Sequence, residues 1–110
     1  IALTDNVPTL TATANDHDFS EVFAKQLSIH ANSGDTLLVI SGSGNSKNLI
    51  RAVDVAKQKE MRTIGFLGMG GGALKSMLDM AVVVPSDDYQ PIEDVHAVLC
   101  HLITSYLRSR

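Results

Sequence analysis

The chain has 110 residues, of which 45% are hydrophobic and 19% are charged, and its formal net charge is −3 at pH 7. This length suits one domain, residues 1–110, with a single sheet and its covering helices, and it is too short for two independent cores. The slight acidic excess provides no field that would attract nucleic acid or an anionic membrane surface. No apolar stretch approaches the roughly 20 residues of a membrane span, so we expect a cytoplasmic protein.

The single cysteine, Cys100, lies in an apolar periodic segment. One cysteine cannot form an intramolecular disulfide, which also favours a reducing compartment. A small core side chain is the expected role of Cys100. The first residues, Ile1-Ala2-Leu3, are typical of the middle of a folded chain, and we expect an N-terminal piece with helices and a first strand to precede them.

The first segments in chain order are a connector and a helix. Residues 7–14 contain a proline and several threonines, which predicts a connector or a short edge strand. Asn15 and Asp16 then supply an N-cap signal. A helix is predicted to follow, because apolar residues recur at three- and four-residue spacing until the turn at residues 32–35. These apolar residues are Phe19, Val22, Phe23, Leu27 and Ala31.

Three short apolar runs predict the strands of a parallel sheet. Residues 36–40 form a continuous apolar run between turn residues, which is typical of a strand buried on both faces. Residues 63–67 and 81–84 repeat this pattern without a hairpin turn between them. Strands that alternate with helices through short links indicate an α/β fold, and such sheets bind ligands at the carboxyl ends of their strands.

Helices are predicted between and after these strands. Residues 48–59 carry their aliphatic side chains on one stripe, which predicts an amphipathic helix, and residues 73–78 predict a short one. Pro91 suits the first turn of a long final helix. We expect that helix to bury six apolar side chains: Ile92, Val95, Leu99, Leu102, Ile103 and Tyr106.

The sequence Ser41-Gly42-Ser43-Gly44-Asn45-Ser46, here called the serine loop, joins the first predicted strand to a helix. Glycines let a backbone approach an anion, hydroxyls donate hydrogen bonds, and a new helix presents free N–H groups with the positive end of its dipole. The serine loop therefore predicts a phosphate site. The alternative is a polar turn in which Ser46 caps the helix. No lysine ends a Gly-x-x-x-x-Gly frame here, so the serine loop is not a Walker loop.

Residues 68–72, here called the glycine loop, follow the second strand as Gly-Met-Gly-Gly-Gly. With Ala73 they satisfy Gly-x-Gly-x-x-Ala, a weak signal for a dinucleotide site. No acidic residue ends a strand about 20 residues later, where a ribose hydroxyl would need it. We therefore expect a flexible loop that flanks the ligand.

Glu93, His96 and His101 in the last helix are the candidate acid, base or metal-binding groups. Eight residues separate Glu93 from His101, which places them about 12 Å apart along the axis and roughly 80° apart around it. They would have to lean toward each other to share a metal, and a surface or hydrogen-bonded role stays open for each histidine. His96 projects from a different side and is expected to matter less.

Together these motifs resemble the sugar isomerase (SIS) domains, and among them the phosphoheptose isomerases. The matching segments are Asn15-Asp16 before Glu21-Val22-Phe23, the serine loop where the family has Ser-Thr-Ser-Gly-Asn-Ser, Val84-Pro85-Ser86, and Ile92-Glu93-Asp94-Val95-His96 with His101. The resemblance implies a doubly wound parallel sheet in a flavodoxin-like three-layer sandwich, and a homo-oligomer, a dimer or a tetramer, with sites between subunits. It implies that a phosphosugar binds to Asn15, Asp16, Ser41, Gly42, Ser43, Asn45 and Ser46.

The resemblance also implies where the chemistry lies. His101 matches a histidine that is catalytic and a metal ligand, usually for zinc, and Glu93 matches a glutamine ligand. Asp94 stands where the family has glutamate, and Pro91 replaces an arginine, so the protein looks like a divergent branch. The family's Gly-Asn-Gly-Gly-Ser turn and its His-x-x-x-Glu pair, which supplies the other base and ligands, lie upstream and are not in this sequence.

Two functions from different classes follow. The first is an aldose-ketose isomerase acting on a phosphorylated seven-carbon sugar such as sedoheptulose 7-phosphate, with His101 as an acid or base. The second is a non-catalytic SIS module that senses a phosphosugar or binds a protein partner. A nucleotide-binding domain, a third possibility, depends on the glycine loop alone.

Overall fold

The computed structural model describes all residues, Ile1–Arg110, as a sheet of three strands with five α-helices. The strands are β1 (Thr36–Ser41), β2 (Arg62–Leu67) and β3 (Met80–Val83). The helices are α1 (Val7–Asp16), α2 (Ala24–His30), α3 (Lys47–Gln58), α4 (Leu74–Met77) and α5 (Tyr89–Arg108). Two short 3-10 turns lie at Phe19–Glu21 and Met69–Gly71.

The sheet is parallel, as the sequence predicts. Its strand order is β1-β2-β3, and β2 pairs in parallel with both neighbours. Leu37 lies opposite Thr63, and Ser41 at the end of β1 lies opposite Leu67 at the end of β2. Since parallel strands end at the same edge, this register brings the serine loop beside the glycine loop.

One face of the sheet carries the hydrophobic core. The buried core cluster consists of Leu27, Ala31, Leu37, Val39, Ala52, Val53, Ala56, Met61, Leu67 and Leu74. Its members come from β1, β2, α2, α3 and α4, except Ala31 directly after α2 and Met61 directly before β2. The predicted stripe of α3 is confirmed, because Val53 and Ala56 are buried and Leu49 and Ile50 are half-buried against this cluster.

The other face of the sheet is largely open, so the expectation that β1 is buried on both faces is wrong. Leu38 and Ile40 are 41% and 47% exposed, and exposed and buried residues alternate along the strand. This happens because β1 is an edge strand and the helices beside it cover only one face. Phe66 of β2 also lies on this face, but it is buried, because His96 of α5 lies beside its ring. The expected exposed apolar sheet surface is thus confirmed.

Residues 7–14 are not a connector or strand, because α1 begins at Val7. Asn6 caps this helix by accepting a hydrogen bond of 3.0 Å from the Thr9 N–H, and Pro8 lies in its first turn. The threonines lower helix propensity, but the cap and the proline outweigh them. Asn15 and Asp16 consequently end α1 instead of starting a helix, and Asp18 caps the following 3-10 turn.

Helix α5 buries far less than predicted. Of the six apolar side chains expected in the core, Ile92 alone is fully buried, Leu99 is half-buried and the other four are exposed. A helix of 20 residues is about 30 Å long, which is longer than the strands of this sheet, so its second half extends past the sheet. Cys100 is accordingly half-buried instead of lying in the core. None of the helices combines the length and apolar character that a bilayer crossing requires.

Asp79 joins the beginnings of β2 and β3. Its Oδ2 atom accepts hydrogen bonds from the backbone N–H and the hydroxyl of Thr63, at 2.8 and 3.1 Å, and its own N–H donates to that hydroxyl at 3.0 Å. The backbone N–H of Thr63 is the main cause that lowers the pKa of Asp79 below its ordinary value of 3.8, followed by the Thr63 hydroxyl. A lowered pKa in the folded state means that this carboxylate stabilises the fold above pH 3.8 and loses that contribution as the pH falls through the folded pKa.

We expect Asp79→Asn in the full-length protein to lower the melting temperature at pH 7, because the amide is a weaker acceptor than the carboxylate. The difference from the parent should shrink as the pH falls below about 4 toward the lowered pKa of the folded state, because the parent carboxylate then becomes protonated as well. Thermal unfolding followed by circular dichroism between pH 7 and pH 3 measures both effects. Asp5→Asn is the control, since the Asp5 side chain makes no ion pair. A difference that stays constant across this pH range would contradict the assignment.

Candidate functional site

The serine loop leaves β1 at Ser41 and reaches α3 at Lys47, so it lies at the carboxyl edge of the sheet. Two of its hydroxyls shape it from within. Ser41 Oγ accepts a hydrogen bond of 3.0 Å from the Gly44 N–H, and Ser43 Oγ accepts one of 3.2 Å from the Asn45 N–H. Because both oxygens act as acceptors, both hydroxyl hydrogens remain available for donation to a ligand.

Ser46 occupies the N-cap position of α3, but its side chain makes no capping hydrogen bond. The Ser46 cap in the polar-turn alternative is therefore not formed, and the phosphate role of the serine loop stays a prediction. No protein group accepts from the backbone N–H groups of Ser46, Lys47 and Asn48. These free donors, the positive end of the α3 dipole and the Ser46 hydroxyl form the arrangement that binds phosphate at helix N-termini.

The glycine loop lies beside the serine loop and is anchored to it. The side-chain oxygen of Asn45 accepts a hydrogen bond of 2.9 Å from the Ala73 N–H, and the Gly44 carbonyl accepts one of 2.9 Å from the Leu74 N–H. The helix that follows, α4, has four residues. Such a short helix fits poorly with a dinucleotide site, which places its pyrophosphate on a full helix.

The start of α5 packs against Gly42 and Gly68, the first residues after β1 and β2. A Cβ atom at Gly42 would lie 2.7 Å from Cε1 of Tyr89, and one at Gly68 would lie 2.5 Å from Cδ1 of Ile92. A side chain at Gly42 or Gly68 would therefore clash with the Tyr89 ring or the Ile92 side chain. The contact of Tyr89 is not predicted by the sequence, since a glycine in a loop does not reveal which distant residue occupies the space beside it.

His96 belongs to the interior, not to the surface of α5. It is 4% exposed, and its Nε2 atom lies 2.9 Å from the Leu67 carbonyl oxygen. A carbonyl only accepts, so Nε2 carries a proton and donates it. The Leu67 oxygen also accepts from the Val84 N–H. His96 therefore fixes α5 to the end of β2, one of the two roles that the sequence left open.

Glu93 and His101 both lie on exposed positions of α5. No group of three or more histidine, cysteine, aspartate or glutamate side chains in the chain is placed to hold a metal ion. Two exposed donors alone do not fit the four-coordinate site typical of zinc. Glu93 and His101 could therefore supply only part of the ligands of a zinc ion. Their roles as metal ligands stay predictions.

Asn15 and Asp16 lie exposed at the end of α1, where the Asn15 side-chain amide donates to an Asp16 carboxylate oxygen at 3.1 Å. Their role in binding stays a prediction. The acidic residue beside the α3 N-terminus is Asp18, which lines a cavity of about 360 Å³ together with Ser46 and Lys47. The Ser20 N–H lowers the pKa of Asp18, with smaller contributions from the Ser20 side chain and from Lys47.

With this fold and loop geometry, the chain belongs to the SIS domain family, whose sequence model matches residues 1–68. The phosphoheptose isomerase of Helicobacter pylori strain 26695 is 43% identical over 103 residues, which are 94% of this chain and 54% of that protein. The phosphoheptose isomerase of Thermodesulfovibrio yellowstonii is 44% identical over 94% of this chain and 51% of its own length. The chain thus spans about half the length of these curated relatives.

Solved structures agree with this family. A phosphoheptose isomerase from Francisella tularensis superposes on the whole chain with a TM-score of 0.97 at 40% identity. One from Neisseria gonorrhoeae does so with a TM-score of 0.97 at 37% identity. The chain covers 61% of each of these structures. The α/β fold predicted from the sequence is therefore confirmed.

We expect His96→Ala in the full-length protein to lower the free energy of unfolding by roughly 1 to 3 kcal/mol, because a buried hydrogen bond and its packing are lost. His96→Gln should recover part of this loss, since its amide can donate to the Leu67 carbonyl. Urea unfolding at pH 7 measures the change. Ser105→Ala on the exposed end of α5 is the control. An unfolding free energy equal to the parent's in His96→Ala would contradict this role.

Proposed function

We propose that this chain is the phosphosugar-binding part of an aldose-ketose isomerase that acts on sedoheptulose 7-phosphate. The observation that carries the proposal is the set of free donors where the serine loop meets α3, namely the Ser46 hydroxyl and the N–H groups of residues 46–48. The names of the relatives, at 40 to 44% identity over nearly the whole chain, support the reaction class.

In this proposal the serine loop holds the phosphate and leaves the other end of the sugar free to react. Isomerisation moves a proton between two adjacent carbons, so an acid and a base must lie within hydrogen-bond reach of the anchored substrate. His101 supplies one of these groups. A bound zinc ion would polarise the carbonyl or hydroxyl oxygen of the sugar. Glu93 and His101 would hold it, together with ligands from outside this chain or from another subunit.

We also propose a homo-oligomer in which another subunit completes the site. This is supported by the exposed apolar side chains on the second half of α5: Val98, Leu102, Ile103, Tyr106 and Leu107. Apolar side chains clustered on one helix typically mark a surface that another protein segment covers. A cytoplasmic location stays a prediction.

For the phosphate site, we expect Ser43→Ala and Ser46→Ala in the full-length protein each to weaken binding of sedoheptulose 7-phosphate by roughly 1.5 to 3 kcal/mol. This is the range for a hydrogen bond to a charged group. Isothermal titration calorimetry gives the Kd. Ser28→Ala on α2 is the control, because Ser28 is exposed and donates only to the Lys25 carbonyl. Parent-like affinity in both loop variants would rule out the proposed phosphate site.

For catalysis, we expect His101→Ala in the full-length protein to lower kcat by about a hundredfold or more, since a positioned acid or base contributes about 10² to 10⁴. Phosphosugar affinity should change much less. Turnover of sedoheptulose 7-phosphate with and without added zinc is the assay, and His30→Ala, an exposed histidine on α2, is the control.

Unchanged turnover in His101→Ala would remove this residue from the reaction. A parent protein that binds the phosphosugar without converting it would favour the non-catalytic SIS module over the isomerase.

A further inference from the structure

The serine loop and the glycine loop touch backbone to backbone. A Cβ atom at Gly44 would overlap the Gly71 carbonyl. One at Gly72 would lie 2.5 Å from the backbone carbonyl oxygen of Ser43 and 2.6 Å from the carbonyl carbon of Gly44. Gly44 and Gly72 also have positive φ angles of 69° and 55°. Only residues without a side chain allow this approach, so the glycines let the glycine loop pack directly against the backbone of the serine loop.

Two hydrogen bonds cross the same contact. One runs from the Ala73 N–H to the side-chain oxygen of Asn45, and the other from the Leu74 N–H to the Gly44 carbonyl, both at 2.9 Å. Gly44 and Asn45 lie between Ser43 and Ser46, whose hydroxyls we expect to bind the phosphate. A shift of the glycine loop would therefore move the hydroxyls of both serines relative to the α3 N-terminus.

We infer that the glycine loop is the positioning element of the phosphate site, and that Asn45 is a positioning residue that acts through Ala73. This inference rests on the proposed function, because it assumes that phosphate binds at the serine loop. In this inference the Asn45 side-chain oxygen holds the two loops together, because it already accepts a hydrogen bond from the Ala73 N–H. It differs from the expectation that Asn45 binds the phosphosugar directly.

Removing the Ala73 N–H tests this role while the Asn45 side chain stays in the sequence. Ala73 has φ −64° and ψ −32°, a conformation that proline adopts, so Ala73→Pro deletes the donor with little backbone strain. The proline ring also takes the place of the amide hydrogen, so the Asn45 oxygen has to move away from it. Asn45→Ala deletes the acceptor. If the two act through one hydrogen bond, each variant should weaken binding of inorganic phosphate about twofold to tenfold, and the double variant should bind no more weakly than either single one.

The measurement is the Kd of the full-length protein for inorganic phosphate and for sedoheptulose 7-phosphate, with KM and kcat for turnover. A positioning role predicts that KM rises with Kd while kcat at saturation changes less. Weaker binding in Asn45→Ala with parent affinity in Ala73→Pro would overturn the inference, because Asn45 would then contact the phosphate itself. Additive effects in the double variant would overturn it as well.

A separate variant with a matched control tests the contact between Gly72 and the serine loop. Gly72→Ala should weaken phosphate binding about tenfold or more, since a Cβ atom there forces the loops apart. Gly34→Ala, with φ 88° and no atom within 4 Å of the added Cβ, also places alanine at a positive φ angle but should keep the parent Kd. Parent affinity in Gly72→Ala would overturn the inference.

If Gly72→Ala does not fold, the Asn45→Ala and Ala73→Pro variants alone test the inference. A parent protein that binds neither phosphate compound would overturn the proposed function and this inference with it. A parent that binds phosphate, with variants that bind equally well, would overturn the inference alone.

Discussion

The parallel pairing of β1 and β2 is the constraint on which the site depends. Its register sets Ser41 opposite Leu67, so both strands end at the same level and both following loops emerge side by side. An antiparallel pair would send the two loops to opposite edges of the sheet. The close approach of Gly44 to the glycine loop, and the bonds from Ala73 and Leu74, are possible only because the strands end together.

Helix α5 has two halves with different surroundings. Its first turns are held by Ile92 against Gly68, by Tyr89 against Gly42, and by the bond from His96 to the Leu67 carbonyl. Beyond His96 the helix leaves the sheet, and its apolar side chains are exposed or half-buried. The anchored half fixes the direction of the half that carries His101, so the location of that histidine depends on contacts at the ends of β1 and β2.

Much of the architecture could be predicted because it depends on local patterns. The apolar stripe of α3, the three strands and the turn chemistry of the serine loop are all set by residues close in sequence. The errors fell where local signals compete or where distant segments decide. In α1 the Asn6 cap and Pro8 outweighed the threonines, and in β1 the alternating exposure of Leu38 and Ile40 depends on which faces the helices cover.

The sequence by itself determined the fold class, the order of the elements from β1 onward and the residue types at the serine loop, because periodicity and turn preference act over a few residues. Only the tertiary structure decided that Ser46 leaves its hydroxyl free and that Asn45 bonds to Ala73. It also decided that His96 is buried against Leu67 while Glu93 and His101 stay exposed. These outcomes depend on contacts between residues about 30 positions apart, and no local pattern encodes which distant backbone group a side chain will meet.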